Sequence, residues 1–332
     1  MYKKISIKDI AAECNVSATT VSRALNGSKE ISEETRNYIL KVCEEKNYTP
    51  NLLARSLILK KTNMIGLIIP DITNQYYSYV SKGVGTYLES LGYGVILCNL
   101  DRKKANEKMY INFLIQRMVD GIIMIPIEPD RKDYEPITAR NIPLLLLDNY
   151  VYDLDVSFVS NDNYAGARKI IMHMINQGYR RIGAIIGGKD SSASNDRLKG
   201  YIDVLKANGI EFDEKLIIHS KATFEDGYNK AKQLIDANVD SIFAINDTVA
   251  MGVMKYCYSN GIRIPEDVGI AGYDDIEQAS MLPVPLTTVH QKKYSLGFKA
   301  AEILISEINN PNQSKQKVIL QPELVKRKSC KE

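Results

Sequence analysis

Apolar positions in the first sixty residues recur every three to four places. Ile7, Ile10, Ala11 and Cys14 form one stripe, and Val21, Ala24 and Leu25 form a second after a polar break at Asn15. Spacing of this kind puts side chains on one face of a helix. It predicts two short helices joined by a turn in which Asn15 tolerates the left-handed conformation. Ser17 is a natural N-cap for the second helix, and Asn26–Gly27 stops it. Ser32, followed by Glu33 and Glu34, caps a third helix whose inner face takes in Leu40, Val42 and Cys43, and Tyr48 and Pro50 close it. The stretch "NLLARSLIL" (51–59) predicts one more short helix capped by Asn51, too short to persist alone in water.

From Met64 the pattern changes. Continuous apolar runs, "MIGLIIP", "YGVILCN", "DGIIMIP" and "PLLLLDN", alternate with amphipathic stretches, and "RIGAIIGG", "LIIHSK", "SIFAIND" and "VGIAGYDD" repeat the theme. Uninterrupted apolar strands between helices imply parallel sheets covered on both faces. This much α/β material, dividing near its middle, suits two lobes better than one. In open α/β sheets the loops at the carboxyl ends of the strands line the ligand crevice. Several strands here end in polar groups at that place: Asp71 and Asn74, Asp148, Asn246, and Asp274 with Asp275.

Composition narrows the class. No apolar run is long enough to span a bilayer, and the lysine-bearing start "MYKKISIKDI" has no apolar core of a signal peptide. The five cysteines are scattered without C-x-x-C spacing, which suits reduced thiols in a cytoplasmic protein. The chain carries a net charge of +3. Residues 1–60 hold ten basic side chains against seven acidic ones, so that whole excess lies there, as expected where only this part meets a polyanion.

A helix-turn-helix accounts for the N-terminal pattern. Ile10, Ala11, Val21 and Leu25 would form the crossing between its helices, leaving Ala18, Thr19, Ser22 and Arg23 on the outer face of the second helix. From there they can reach major-groove base edges and flanking phosphates. The bland alternative is a solvated amphipathic hairpin.

The segments "IKDIAAECNVSATTVSRALNG" and "ISEETRNYILKVCEEKNYTPNLLARSL" resemble the DNA-binding head of the lactose/galactose repressor (LacI/GalR) family. The resemblance continues through "GLIIPDITNQYY", "VDGIIMIP", "GYRRIGAIIGG", "NDRLKGY", "AINDTVAMGVM", "GYDDIEQASMLPVPLTTVHQ" and "PELVKRKS", and is nearest to the ribose-repressor branch. It implies an all-α helix-turn-helix DNA-binding head plus an α/β periplasmic-binding-protein-like core of two doubly wound parallel-sheet lobes. The implied boundaries are 1–50 for the DNA-binding domain, 51–62 for a hinge helix and linker, and 63–332 for the effector-binding and dimerisation domain. Ser6, Ser17, Ala18, Thr19, Ser22, Arg23 and Asn26 carry over as DNA contacts, as do Asn51, Ala54, Arg55 and Leu57 of the hinge helix. Leu57 is implied to wedge a base step in the minor groove, which costs unstacking but kinks the duplex onto more protein.

The resemblance further implies an effector between the lobes, held by Tyr76, Tyr77, Asp148, Arg197, Asn246, Asp274 and Gln291, with Asp275 as a substitute for Asp274. Carboxylates that accept from adjacent hydroxyls, an arginine fork and aromatic rings over C–H faces suit a polyol. Ribose or another pentose is the first expectation. Many members carry an aromatic residue five places before the glycine at 227; this chain has Ala222 there, which weakens the case for a flat purine. The implied protein is a homodimeric repressor on pseudo-palindromic operator DNA, needing no cofactor or metal and no membrane.

Two other classes compete. An enzyme reading finds no G-x-G-x-x-G spacing in "KGVGTY" and no H-E-x-x-H among His173, His219 and His290. A regulator answering to a purine or partner-protein corepressor is the alternative within the family, although a protein corepressor does not need Arg197, Asn246 and Asp274 in a filled cleft.

Overall fold

The computed structural model describes residues 5–25, 27–28, 30–48, 61–151 and 153–331. The chain divides into two compact units, Met1–Thr62 and Asn63–Glu332.

In the first unit, helices α1 (Ile7–Glu13), α2 (Ala18–Leu25) and α3 (Glu33–Glu45) enclose a small core of Ile10, Ala11, Cys14, Val21, Ala24, Ile39, Val42 and Cys43. Ser6 caps α1 through a reciprocal box. Its hydroxyl accepts from the Asp9 amide at 3.3 Å, and the Asp9 carboxylate accepts from the Ser6 amide at 2.8 Å. Asn15 holds φ 52° in the turn, where its short polar side chain suits the left-handed region. Ser17 caps α2 by accepting from the Thr20 amide at 3.0 Å. Gly27, at φ 70°, ends α2 in a Schellman arrangement, with Ser28 N–H donating to Arg23 C=O and Gly27 N–H to Ala24 C=O. The inner face of α3 differs from expectation by one position. Ile39 is fully buried and Leu40 is exposed, because i, i+3, i+4 spacing with Val42 and Cys43 selects residue 39.

The second unit has two lobes. The first is a six-stranded parallel sheet in the order β11-β5-β4-β3-β1-β2. Its strands are β1 (Met64–Ile69), β2 (Gly94–Asn99), β3 (Gly121–Met124), β4 (Leu144–Leu147), β5 (Ser157–Asn161) and β11 (Lys317–Leu320). Helices α4 (Gln75–Ser90) and α12 (Lys293–Asn309) cover one face, with Val80, Val84, Leu88, Leu296, Ala300 and Leu304 in the core. Helices α5 (Ala105–Gln116) and α6 (Arg131–Thr138) cover the other through Ile111, Leu114, Tyr134 and Ile137. The glycines of "KGVGTY" lie inside α4. A Cβ at Gly83 would stand 2.1 Å from the Tyr294 carbonyl, so glycine lets α4 and α12 cross in backbone contact.

The second lobe is a parallel sheet in the order β7-β6-β8-β9, from β6 (Ile182–Ile186), β7 (Ile217–His219), β8 (Ser241–Ala244) and β9 (Gly269–Ala271). Around it pack α7 (Asn163–Asn176), α8 (Ser192–Ala207), α9 (Phe224–Asp236) and α10 (Asp247–Ser259), followed by the short α11 (Glu277–Met281). An antiparallel pair, β10 (Thr288–His290) with β12 (Glu323–Val325), completes the lobe. The chain passes between lobes at Asn161–Asn163, His290–Lys293 and Leu320–Glu323. No helix among the described residues is long and apolar enough to cross a membrane.

Candidate functional site

Both sheets place their first-numbered strand beside a later one, at β1/β3 and β6/β8, and ligands of such folds sit outside the strand carboxyl ends at these switch points. There the two lobes enclose a cavity of about 360 Å³. Tyr76, Tyr77, Asp148, Arg197, Asn246 and Asp274 all line it.

Arg197 organises the floor. Its Nε donates to Asn163 Oδ1 at 2.8 Å, one Nη donates to the Ile245 carbonyl at 2.5 Å, and the guanidinium lies 3.8 Å over the Tyr273 ring. Burial works against its charge, but Tyr273, Asp274 and Asp148 outweigh it and hold the pKa above the ordinary value. Asp148, at φ 62° beyond β4, is buried, and desolvation raises its carboxyl despite Arg197. Its Oδ1 and the Tyr76 hydroxyl, close enough to lower that pKa, have no partner in hydrogen-bond geometry. An unmatched buried acceptor of this kind is a place for a ligand hydroxyl. Tyr76 and Tyr77 meet edge to face with centroids 5.2 Å apart, at the start of α4 where Asn74 caps the helix. Burial pushes the Tyr77 hydroxyl up to about 12.

Asn246 serves two purposes. Its Oδ1 caps α10 by accepting from the Val249 amide at 2.8 Å, while Nδ2 makes only a long bond of 3.4 Å to the Ala222 carbonyl. Asp274, at φ 116°, accepts from Gln291 Nε2 at 2.6 Å, and burial raises its carboxyl to about 6 against the pull of Arg197 and Lys293. Beneath it, buried Asp247 accepts from the Thr288 hydroxyl and the Ile276 amide. Desolvation, then the neighbouring Asp274 charge, pushes it up.

Two residues grouped with the cavity by sequence do not line it. The Asp275 carboxylate instead accepts from Arg327 Nη2 at 2.6 Å and pairs with His290 Nδ1 at 2.8 Å. Burial opposes that charge, but these partners hold it below the usual carboxylate range. Gln291 is fully buried and reaches the site only through Asp274. Sequence reading passed over Asn149, whose Oδ1 accepts from the Ser191 hydroxyl and the Ala193 amide of the opposite lobe, and over Tyr273, Asn163 and Asp247. Asn149 had one signal, its place beside Asp148 at the end of "LLLLDN"; Tyr273 stands similarly within "GYDD".

In the first unit Ser6, Ser17, Thr19 and Arg23 are exposed, and Ala18 and Ser22 are half-buried. Ala18 packs partly on the small core, and Arg23 pairs with Glu30 at 3.0 Å on the surface. Asn26, Asn51, Ala54, Arg55 and Leu57 lie outside the described residues.

The bacterial regulatory proteins of the lacI family match residues 6–51, and the periplasmic binding protein-like domain matches residues 171–330. The HTH-type transcriptional regulator DegA of Bacillus subtilis is 34% identical over 98% of each chain. The ribose operon repressor of Halalkalibacterium halodurans is 34% identical over 98% of this chain and 97% of its own. The lac repressor dimer bound to operator and an anti-inducer superposes with a TM-score of 0.88 at 26% identity, covering 99% of this chain and 100% of that one. A ribose-bound LacI family regulator from Enterococcus faecium gives 0.74 at 26% identity over 81% of this chain and 98% of its own. The transcriptional regulator CelR in complex with cellobiose gives 0.76 at 28% identity, over 98% and 99%. With relatives this similar over nearly its whole length, the chain belongs to the lacI family of bacterial transcriptional regulators.

Proposed function

We propose that this protein is a homodimeric, cytoplasmic transcriptional repressor whose affinity for a pseudo-palindromic operator is controlled by a sugar bound between the two core lobes. Ribose or another pentose is the first member of that class. The observation that carries the reading is the meeting of Asp148, Asn246 and Asp274, each just beyond a strand, with Arg197 of α8, around one cavity between two lobes. A polyol offers these groups what they lack: hydroxyl donors for the carboxylates, acceptors for the guanidinium and Asn246 Nδ2, and C–H faces for Tyr76 and Tyr77. Asp275 and Gln291 hold Asp274 and its strand in place.

Ser6, Ser17, Ala18, Thr19, Ser22 and Arg23 are the proposed operator contacts of the head, joined by Asn26, Asn51, Ala54, Arg55 and Leu57. Exposed Thr19 and Arg23 on α2 support base reading, and the capping hydroxyls of Ser6 and Ser17 stand at helix N-termini, which favour phosphate. Thermal unfolding with a panel of pentoses, hexoses and purines, followed by operator gel shifts with each stabilising ligand, tests the reading. A sugar that raises the melting temperature and changes operator affinity supports it, because a ligand of the native state stabilises by mass action. Stabilisation by purines alone refutes it.

A further inference from the structure

Most acidic side chains of the basic head have local duties. Asp9 closes the capping box of α1, Glu13 pairs with Lys46 at 3.1 Å, and Glu33 and Glu34 lie in the first turn of α3, where the helix dipole favours them. Glu30 belongs to no helix. Its carboxylate meets the Arg23 guanidinium at 3.0 Å, and both side chains stay more than half exposed. An exposed pair of this kind adds little to stability, so stability does not account for its placement.

The turn that carries Glu30 is fixed from both sides. Ser28 N–H donates to Arg23 C=O at 3.0 Å, and Ser28 C=O accepts from Arg36 Nη2 of α3 at 2.6 Å. The Glu30 amide donates to Ser28 Oγ at 3.3 Å, and Ile31 packs on the head core. Glu30 is thereby set beside the last turn of α2, facing the arginine that this helix turns to solvent. The carboxylate takes Nη1 of that arginine. A guanidinium presents its five N–H groups as a rigid fork, so a carboxylate on Nη1 leaves the Nε–Nη2 edge to offer to a base. That edge matches the O6 and N7 acceptors of guanine.

From this geometry we infer that Glu30 is a positioning residue for base reading, which holds Arg23 in the orientation that reads an operator guanine. The inference rests on the operator reading above and names how one of its contacts gains selectivity. A long, flexible arginine without a neighbour turns to a phosphate as readily as to a base edge. An acid beside it makes the phosphate contact unfavourable at that place, because the two negative charges repel. Glu30 thus lowers affinity for DNA in general and keeps Arg23 on the base edge. One side chain sets affinity and selectivity in opposite directions.

Selection of randomised duplexes by the full chain, followed by binding to a half-site library built on the selected sequence, tests it. A bidentate arginine discriminates among bases by roughly five- to 150-fold. Glu30→Ala should reduce the guanine preference at the Arg23 position by about three- to tenfold while raising affinity for unrelated duplex by about two- to fivefold. Glu30→Gln, which keeps one acceptor oxygen and loses the charge, should raise non-specific affinity equally but retain part of the preference. Glu30→Ala in an Arg23→Ala background should change no base preference. If Glu30→Ala raises affinity for all sequences alike, the pair is an ordinary surface contact and the inference falls, with base reading by Arg23 intact wherever Arg23→Ala still flattens the library. A preference lost at a different position makes Glu30 a base reader itself and overturns its role through Arg23. An Arg23→Ala library that keeps the wild-type preference removes both readings together. Unchanged circular dichroism and melting temperature show that each variant folds.

Discussion

Replacing Arg197 by alanine tests how the cavity floor is held together. The substitution removes a guanidinium that donates to Asn163 and to the Ile245 carbonyl and stacks on Tyr273. It leaves Asp148 and Asp274 as buried carboxylates without the cation that does most to offset their burial. Breaking a buried pair by removing one partner costs about 3–5 kcal/mol, since the remaining charge is uncompensated. Each lost charge-assisted bond would be worth about 1.5–3 kcal/mol alone, but contributions in one network do not add, so the total stays in the first range. At about 2 °C per kcal/mol for a unit of this size, the core transition should fall by roughly 6–10 °C at neutral pH. The deficit should depend on pH. Asp274 has a folded pKa raised to about 6 by burial, and without Arg197 it should rise further. A carboxyl raised on folding favours the native state at acid pH and loses that contribution as pH climbs through the folded value. The alanine variant should therefore approach wild type below about pH 5 and fall behind above pH 6. Differential scanning calorimetry across pH 4.5–8 reads this directly, and adding Asp274→Asn should restore part of the loss. A loss under about 1 kcal/mol, or one independent of pH, would show that Arg197 does not neutralise these carboxylates.

Four further substitutions have expected outcomes. Gly227→Ala should destabilise the core by about 1–3 kcal/mol or more, because its Cβ would stand 2.1 Å from the Val249 carbonyl where α9 meets α10. Gly85→Ala, with nothing within 4 Å, should instead stabilise α4 by about 0.5–1 kcal/mol, and equal effects in urea unfolding would refute the packing argument. Arg23→Ala should cost about 1–3 kcal/mol of operator affinity and flatten preference at one position in a half-site library; an unaltered preference would mean that Arg23 reads no base. Glu277→Ala removes the carboxylate that accepts from Gln75 Nε2 and the Tyr79 hydroxyl of α4 and leaves only the residue-277 amide donating to Gln75 Oε1, so effector affinity should fall severalfold by calorimetry, and an unchanged affinity would show that the carboxylate tie does not bias the lobes.

What could be read from sequence was what local periodicity and capping decide. Continuous apolar runs such as "LLLL" at β4 have no face left for water, so their burial in a parallel sheet follows from composition. Asn15 announces a turn because it tolerates the left-handed region, and Ser17 and Ser32 announce caps through hydroxyls that accept from amides three residues on. The choice between Asp274 and Asp275 was of another kind. Both have positive φ and are neighbours, and only the arrival of His290 and Arg327 at Asp275, and of Gln291 at Asp274, separates them. Those partners are brought in by β10 and the segment after β12, a pairing that no local pattern encodes. Leu40 shows a smaller failure, since two adjacent apolar residues leave a helix's phase ambiguous until it packs.

The cavity also bears on how binding could be converted into a change of state. A ligand shifts an equilibrium only as far as its affinities for the two states differ. Here the groups that would bind it come from both lobes: Tyr76, Asp148 and Arg102 from the first, Arg197, Asn246 and Asp274 from the second. Any movement that parts the lobes separates these sets, so a ligand touching both favours this arrangement by nearly the full worth of one set. The lobes already share bonds that need no ligand, from Asn149 to Ser191 and Ala193, from Arg102 to Lys221, and from Glu277 to Gln75. Such ties raise the population of the binding-competent form and so tighten apparent affinity. They also shrink the difference that a ligand can make, since a protein already closed has less to gain. The hydrogen bonds between the lobes therefore set sensitivity and response against each other, and Asp148, whose buried Oδ1 has no donor in hydrogen-bond geometry, gives a polyol a contact to add.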